Sequence, residues 1–288
     1  MKIKTLILLL ILTVIQANAM SDNDVKGYMK RYVEKKMNSQ VIRVDIISSY
    51  PIEDAKGWSV YFLSMRVKLK LGDSYQEAIV PQTVFVKGDR ITLKLMKKGK
   101  RKKDGTMGKS KSYAKLLKPK VPIDAYDDKH FILGSKDAPH KILFFSDPSC
   151  PFCKETVVEV VDVVKKNPKL YGLYYYHLPL TKIHPPSEIV SRAMLVFQNR
   201  GDIDNMLKLY RIFIEPTETD VKKILDAIKI KTGVQLTEKE INQPEITEAL
   251  RVDMAMKRRL QVTGTPTIFI DGKWDRLRKE FKKYAKIK

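Results

Sequence analysis

The run HKILFFS, residues 140–146, followed at once by DPSCPFCKE, residues 147–155, constrains this chain more than any other stretch. Apolar residues follow one another without alternation, as a strand buried on both faces requires. Asp147 and Pro148 then turn the chain. PFCKETVVEVVDVVKKN reads as a helix with Pro151 in its first turn, where a missing N–H costs nothing. The two cysteines of the 288-residue chain, Cys150 and Cys153, sit at that junction of buried strand and helix.

A helix start offers unpaired N–H groups and a positive partial charge, and both favour a thiolate over a thiol. The thiolate is the form that attacks disulfides. Cys150 is therefore the expected nucleophile. Cys153, one turn deeper, is the expected resolving thiol and the less exposed of the two. Pro151 stiffens the loop between them. Phe152 brings no charge and cannot stabilise the thiolate as an imidazolium would, so the pair is expected to be oxidising, but less so than one with His there. Three other roles fit less well. A zinc site needs two more ligands, and His130, His140, His177 and His184 have no matching spacing. Covalent haem attachment needs His after the second cysteine, where Lys154 stands. A purely structural disulfide would close too small a loop to stabilise much.

Redox-active thiols must still be placed in a compartment. MKIKTLILLLILTVIQANAM begins with Lys2 and Lys4, continues in an apolar run from Leu6 to Ile15, and ends in the small-residue pattern Ala17 to Ala19. The apolar run falls short of the roughly 20 residues that span a bilayer. The reading adopted is a signal peptide over 1–19 and an exported, periplasmic protein; the alternative is an uncleaved anchor. Disulfides persist outside the cytoplasm. The formal charge of +22 is spread over the chain, as in KRYVEKK, KKGKRKK and RKEFKKYAKIK. It reads as a solvated basic surface, and nucleic acid is not an expected partner of an exported protein.

The chain exceeds one typical domain. Residues 22–38 place Val25, Tyr28, Met29, Tyr32 and Val33 at helical spacing, and the runs VIRVDIIS, WSVYFLSMRVKLKL, EAIVPQTVFV and RITLKLM read as strands, with a hairpin turn at Lys87–Asp89. These define a small α+β domain over 20–96. Residues 97–120 hold eleven Lys or Arg against one Asp and read as a basic linker, with a short helix around Tyr113–Lys118. From 121 to 288 strand and helix alternate: HKILFFS, the Cys helix, YGLYYYHLPL, a helical insertion over about 187–260, TPTIFIDGK with an Asp-Gly turn, and a closing basic amphipathic helix in DRLRKEFKKYAKIK.

GSKDAPHKILFFSDPSCPFCKE, Gly134–Glu155, together with VTGTPTIFIDGK, Val262–Lys273, resembles the thioredoxin-fold disulfide oxidoreductases of the DsbA and DsbC/DsbG type. The likeness extends to the dimeric periplasmic DsbA-like and DsbC-like proteins of epsilonproteobacteria. It covers 121–288 in element order and is strong at both motifs. The resemblance implies a thioredoxin fold, Pro266 as a cis-proline facing the cysteines, and Thr265 as the residue whose backbone pairs with substrate. From the residues alone, Pro266 could equally begin an edge strand. The helix-plus-sheet domain before the linker is similar to the dimerisation domain of these relatives, cystatin-like or nuclear-transport-factor-like in type. Pro151-Phe152 departs from the Pro-His of DsbA and the Gly-Tyr of DsbC, which leaves the direction of catalysis open. Asp147 matches the family pattern F-S-D and admits two roles, an influence on thiol ionisation or a turn before Pro148. Lys154 and Glu155 read as solvent-facing. His184, in IHPPSE, reads as part of a proline-stiffened loop rather than a catalytic histidine.

The expected activity is thiol–disulfide exchange on exported proteins, as oxidase or isomerase, with the Cys150–Cys153 disulfide as the redox group and no separate cofactor or metal. Expected partners are unfolded or misoxidised exported proteins, a DsbB-like or DsbD-like membrane protein and a second copy of the chain. Two alternatives are a periplasmic reductase, protecting single cysteines or serving cytochrome c maturation, and a chaperone-like binding protein with a secondary redox role.

Overall fold

A computed structural model describes residues 20–37, 39–71, 74–103 and 105–285. The stretch read as a signal peptide, 1–19, lies outside the described residues. The chain divides into two compact units, Met1–Lys97 and Lys98–Lys288. Among the described residues no helix is long and apolar enough to cross a membrane.

The first unit opens with α1 (Asp22–Met37). Its start is fixed reciprocally: the Asp24 amide donates to Ser21 Oγ at 3.2 Å, and the Ser21 amide donates to the Asp24 carboxylate at 2.9 Å. Val25, Met29 and Val33 recur at helical spacing and are buried against Val41, Leu63, Met65, Val67 and Val84 of the sheet. Each such burial is worth ~2 kcal/mol. The strands β1 (Gln40–Pro51), β2 (Ser59–Leu71), β3 (Ser74–Lys87) and β4 (Arg90–Thr92) form one antiparallel sheet in the order β1-β2-β3-β4. The turn before β4 uses Gly88 at φ 57°. The run RITLKLM was expected as a single strand, but it stops at Thr92. There the Thr92 hydroxyl donates to the Lys94 carbonyl at 3.1 Å and accepts from the Lys94 amide at 3.2 Å, diverting the backbone from the ladder. A two-residue strand β5 (Met96–Lys97) closes the unit.

The second unit begins with the short β6 (Lys111–Ser112) and is built on a five-stranded sheet. Its strands are β7 (Phe131–Gly134), β8 (His140–Ser146), β9 (Tyr171–His177), β10 (Thr267–Ile270) and β11 (Lys273–Trp274), in the order β11-β10-β8-β9-β7. β8 and β9 are parallel, joined by α2 (Pro151–Lys166); β10 and β7 run antiparallel to their neighbours. Alternate β8 residues face opposite layers. Ile142 and Phe144 pack with Val157, Val160 and Val164 of α2, whereas Leu143 and Phe145 pack with Phe269, Met256, Leu260 and Val262. The continuous apolar run thus serves two cores. Between β9 and β10 lie α3 (Ser187–Asn199), α4 (Ile203–Lys208), α5 (Val221–Thr232), α6 (Glu238–Ile241) and α7 (Pro244–Arg259). α7 is tied to the sheet through buried Asp253, whose carboxylate accepts from the His177 amide and pairs with His130 Nε2, both at 2.8 Å.

Two further local expectations are corrected, and one strand is added. The segment 97–120 is no uniform linker: from Lys98 it belongs with the second unit. Lys118 donates to the Gln261 carbonyl and lies 4.9 Å from the Trp274 ring centre, and burial pushes its pKa down to about 8. Over its described residues, 275–285, the closing basic segment forms a 3₁₀ turn at Glu280–Lys282 instead of the expected helix. The buried carboxylate of Asp275 takes the amides of Lys279, Glu280 and Phe281, and Phe281 is inserted in the core; these fixed points replace helical periodicity. β7 is an additional strand, whose apolar run of Phe131, Ile132 and Leu133 is too short to show a period.

Candidate active site

Cys150 is the residue that caps α2, with φ −75° and ψ 122°, and Pro151 occupies the first turn. The turn before it is shaped by Asp147. The Ser149 amide donates to the Asp147 carboxylate at 2.8 Å, and the Cys150 amide donates to the Asp147 carbonyl at 3.1 Å. Both are turn-setting contacts of the kind an aspartate before proline makes. Cys153 is fully buried, Cys150 is 4% exposed and Phe152 is 67% exposed, so the loop presents an aromatic ring to solvent beside the first sulfur.

The second motif precedes β10, the strand paired directly with β8. The Thr265–Pro266 peptide is cis, and the Cys150 thiol points at the Thr265 carbonyl at 3.8 Å. The structure therefore brings together Cys150, Cys153 and Thr265, with Pro266 beside them at the start of β10. The Thr265 side chain is directed into the same site, and its hydroxyl lowers the pKa of both thiols.

The two thiols are driven apart in acidity. Hydrogen bonding from the Cys153 thiol, against the opposing effect of burial, holds Cys150 down to about 5, with help from the Cys153 amide, Thr265 and the Phe152 amide. Burial, followed by the Cys150 sulfur itself, pushes Cys153 well above the ordinary thiol range, against Ser146, Thr265 and the Asp147 amide. The pair shares one proton and keeps it on the inner sulfur. An anion at Cys150 beside a protonated Cys153 can attack a disulfide from outside and be attacked in turn from within.

Asp147 does more than shape a turn. It is fully buried and also accepts from the Leu180 amide at 3.0 Å and the Ser187 hydroxyl at 2.8 Å, while His184 Nδ1 lies 2.8 Å from it. His184 thus joins the loop that opens the helical insertion to the loop that carries Cys150. IHPPSE reads as a proline-stiffened loop, and nothing in local spacing pairs His184 with a residue 37 positions earlier. His184 also lines a cleft of about 220 Å³ with Pro148, Pro151, Lys154, Ile212 and Ile214. Lys154 belongs to the wall of that cleft, whereas Glu155 is exposed. Among the described residues no three His, Cys, Asp or Glu side chains converge as metal ligands.

The parallel β8–α2–β9 unit, the antiparallel β10 and the dithiol at the start of α2 define a thioredoxin-fold domain. Residues 127–287 match the family model described as Thioredoxin, and the chain belongs to that family. Over 152 residues it is 26% identical to a probable disulfide bond formation protein D of Bacillus anthracis, a match covering 49% of this chain and 69% of that protein. Over 165 residues it is 20% identical to Na(+)/H(+) antiporter NhaA 3 of Salinispora tropica, covering 53% of this chain but only 23% of the antiporter. Among solved structures, oxidised BdbD from Bacillus subtilis is similar with a TM-score of 0.46 and 16% identity, over 58% of this chain and 92% of that one.

Proposed function

We propose that this protein is a thiol–disulfide oxidoreductase that forms or rearranges disulfides in exported proteins through Cys150 and Cys153. The observation that carries the reading is the geometry of the pair: Cys150 caps the start of α2 with Cys153 one turn inside it, and the Cys150 thiol faces the Thr265 carbonyl of the cis Thr265–Pro266 peptide at 3.8 Å. The name of the Bacillus anthracis relative, a disulfide bond formation protein, points the same way. In the reductive direction, Cys150 thiolate attacks one sulfur of a client disulfide. The client S–S bond breaks, one client thiolate leaves and takes a proton from solvent, and a mixed disulfide forms. Cys153, on losing its proton, attacks Cys150 Sγ; the second client thiolate leaves, the client has gained two electrons, and Cys150–Cys153 is a disulfide. Oxidation of a client dithiol is the same path reversed. Thr265 offers its backbone beside the attacked sulfur and Phe152 an apolar contact for the client.

Export to the periplasm is part of the same proposal, supported by the residue pattern of 1–19. So is dimerisation through the first unit. There β1 is a 12-residue edge strand, and Ile42, Tyr75 and Ile79 are exposed large apolar side chains. A membrane redox partner of the DsbB or DsbD type would reset the dithiol. Full-length protein should reduce insulin and reactivate scrambled ribonuclease, and Cys150→Ser should abolish both. Retention of both activities by Cys150→Ser would instead favour a binding protein. Equilibration with glutathione sets the direction: a potential near about −120 mV marks an oxidant and near about −270 mV a reductant.

A further inference from the structure

Positive charge is unevenly matched by acids along this chain. Elsewhere basic side chains lie against carboxylates, as Lys97 does with Asp54, Lys136 with Asp128 and Arg259 with Asp124. The stretch from Lys98 to Lys111 departs from this. It carries Lys98, Lys100, Arg101, Lys102, Lys103, Lys109 and Lys111 against one acid, Asp104, which lies outside the described residues. All seven basic residues are exposed, and none of them forms an ion pair among the described residues.

The backbone of this stretch is ordered by its own hydrogen bonds. Arg101 and Met107 form an antiparallel bridge. The Lys102 amide donates to the Thr106 carbonyl at 2.8 Å, the Gly105 amide to the Lys102 carbonyl at 3.0 Å, and the Gly108 amide to the Lys100 carbonyl at 2.9 Å. Gly105 supplies the φ of 81° at the turn. Below the turn, a Cβ on Gly99 would lie 1.8 Å from the Gly108 carbonyl oxygen, so the two runs meet backbone to backbone. Residues 98–111 thus form a β-hairpin arm. Its tip bears the unbroken basic run 100–103, and Met107, opposite Arg101, is 59% exposed.

Shape and charge together select a partner. Like charges held this close repel one another, and a dense negative surface offsets that repulsion. Successive residues of a strand point to opposite faces, so Lys100 and Arg101 leave the arm on opposite sides. A pocket for one small anion needs cations that converge on a point. Cations spread over an exposed arm suit a plane of anions instead. Met107, an apolar side chain among them, suits the boundary between headgroups and acyl chains.

We propose that the arm 98–111 docks this protein on the surface of an anionic phospholipid bilayer. Its lysine and arginine side chains lie against phosphate headgroups, and Met107 enters the acyl boundary. The proposal goes beyond the exchange reading and does not depend on it. A docked protein meets membrane-bound redox partners along a surface rather than through a volume, whichever way electrons flow.

The test is sedimentation with vesicles, using the full chain produced with export so that residues 1–19 are processed alike in every sample. Binding to phosphatidylcholine vesicles containing about one-third phosphatidylglycerol should be at least about tenfold tighter than to phosphatidylcholine alone. Raising the salt from about 0.05 M to about 0.5 M should abolish the difference. The combined variant Lys100→Gln, Arg101→Gln, Lys102→Gln, Lys103→Gln should bind the anionic vesicles about a hundredfold more weakly while still reducing insulin. A control with the same net charge, Lys169→Gln, Lys222→Gln, Lys229→Gln, Lys239→Gln, removes exposed lysines elsewhere and should lose less than about threefold. If the arm variant does not fold, Lys109→Gln with Lys111→Gln should show a loss of about tenfold. Equal binding to neutral and anionic vesicles overturns the proposal, as does an equal loss in the control. Tighter binding to a DNA duplex than to anionic vesicles, lost in the arm variant, would assign the arm to nucleic acid and also overturn it. Insulin reduction is read separately, so failure of the docking leaves the exchange reading standing.

Discussion

The imidazole of His184 lies 2.8 Å from the buried carboxylate of Asp147, three residues ahead of Cys150. Asp147 also holds two amides and a hydroxyl, so the histidine is one of four partners of a group that has no access to water. The nucleophile's loop and the entry to the helical insertion are thereby fastened at one atom group.

His184→Ala should cost about 1–3 kcal/mol in denaturant unfolding, because it strips a partner from a buried acceptor. Asp147→Ala should cost more, about 3 kcal/mol, since the Ser149 and Leu180 amides lose their acceptor together. A His184→Ala protein as stable as the unsubstituted one would show the pair to be inert.

Reactivity of Cys150 with iodoacetamide should be half-maximal near pH 5, where its pKa is held. Cys153→Ala removes the first of the donors responsible and should move that midpoint upward. The same depression has a consequence for stability. The folded pKa lies below that of a free thiol, about 8.5, so the unfolded chain binds the extra proton in between. Stability of the reduced form relative to the oxidised form should rise from about pH 5 to about pH 8.5 through Cys150, and fall again above that, where Cys153 ionises in the unfolded chain but is held protonated in the fold. Parallel melting curves of the two redox forms measure this.

His130 sits buried between Asp253 and Asp127, with ring nitrogens 2.8 Å and 2.7 Å from their carboxylates. Burial alone would lower its pKa; the hydrogen bond and charge of Asp253, with Asp127, overcome this and raise it. Its contribution to stability is complete below the unfolded value of about 6.5 and is lost as pH rises through the folded one. In Asp253→Asn the His130 resonance should titrate at lower pH than in the unsubstituted protein. The fold should lose about 3 kcal/mol, the cost of breaking a buried ion pair. A titration midpoint that does not move would refute the pairing.

Gly134 has φ 91°, and a Cβ there would lie 2.0 Å from the Tyr171 carbonyl oxygen. Backbone conformation and space both exclude a side chain. Gly134→Ala should cost about 3 kcal/mol or more, or prevent folding, as judged by the melting temperature.

What local pattern could reveal was the part of the fold held by local rules. HKILFFS formed β8 over the same seven residues because a strand buried on both faces has a simple composition, and Pro151 marked the start of α2. Other parts answer to tertiary contacts. β7 is four residues of an edge strand beside a buried histidine, too short to show a period. The basic C-terminal run has helical spacing, yet Asp275 captures the amides that a helix would need there. Of the site, the cysteines and Thr265–Pro266 carry recognisable motifs. His184 does not, since it reaches Asp147 only after the insertion has packed.

Cys150 and the Thr265 carbonyl that faces it are separated by 115 positions. A ribosome or translocation channel delivers the chain from its first residue onward, so both thiols emerge well before β10 can join β8. Through that interval the cysteines belong to an incomplete sheet without Thr265. Their chemistry is then that of thiols in a nascent chain, open to oxidation by whatever the compartment holds. The last strand to arrive is thus also the moment at which two vulnerable side chains become a controlled pair.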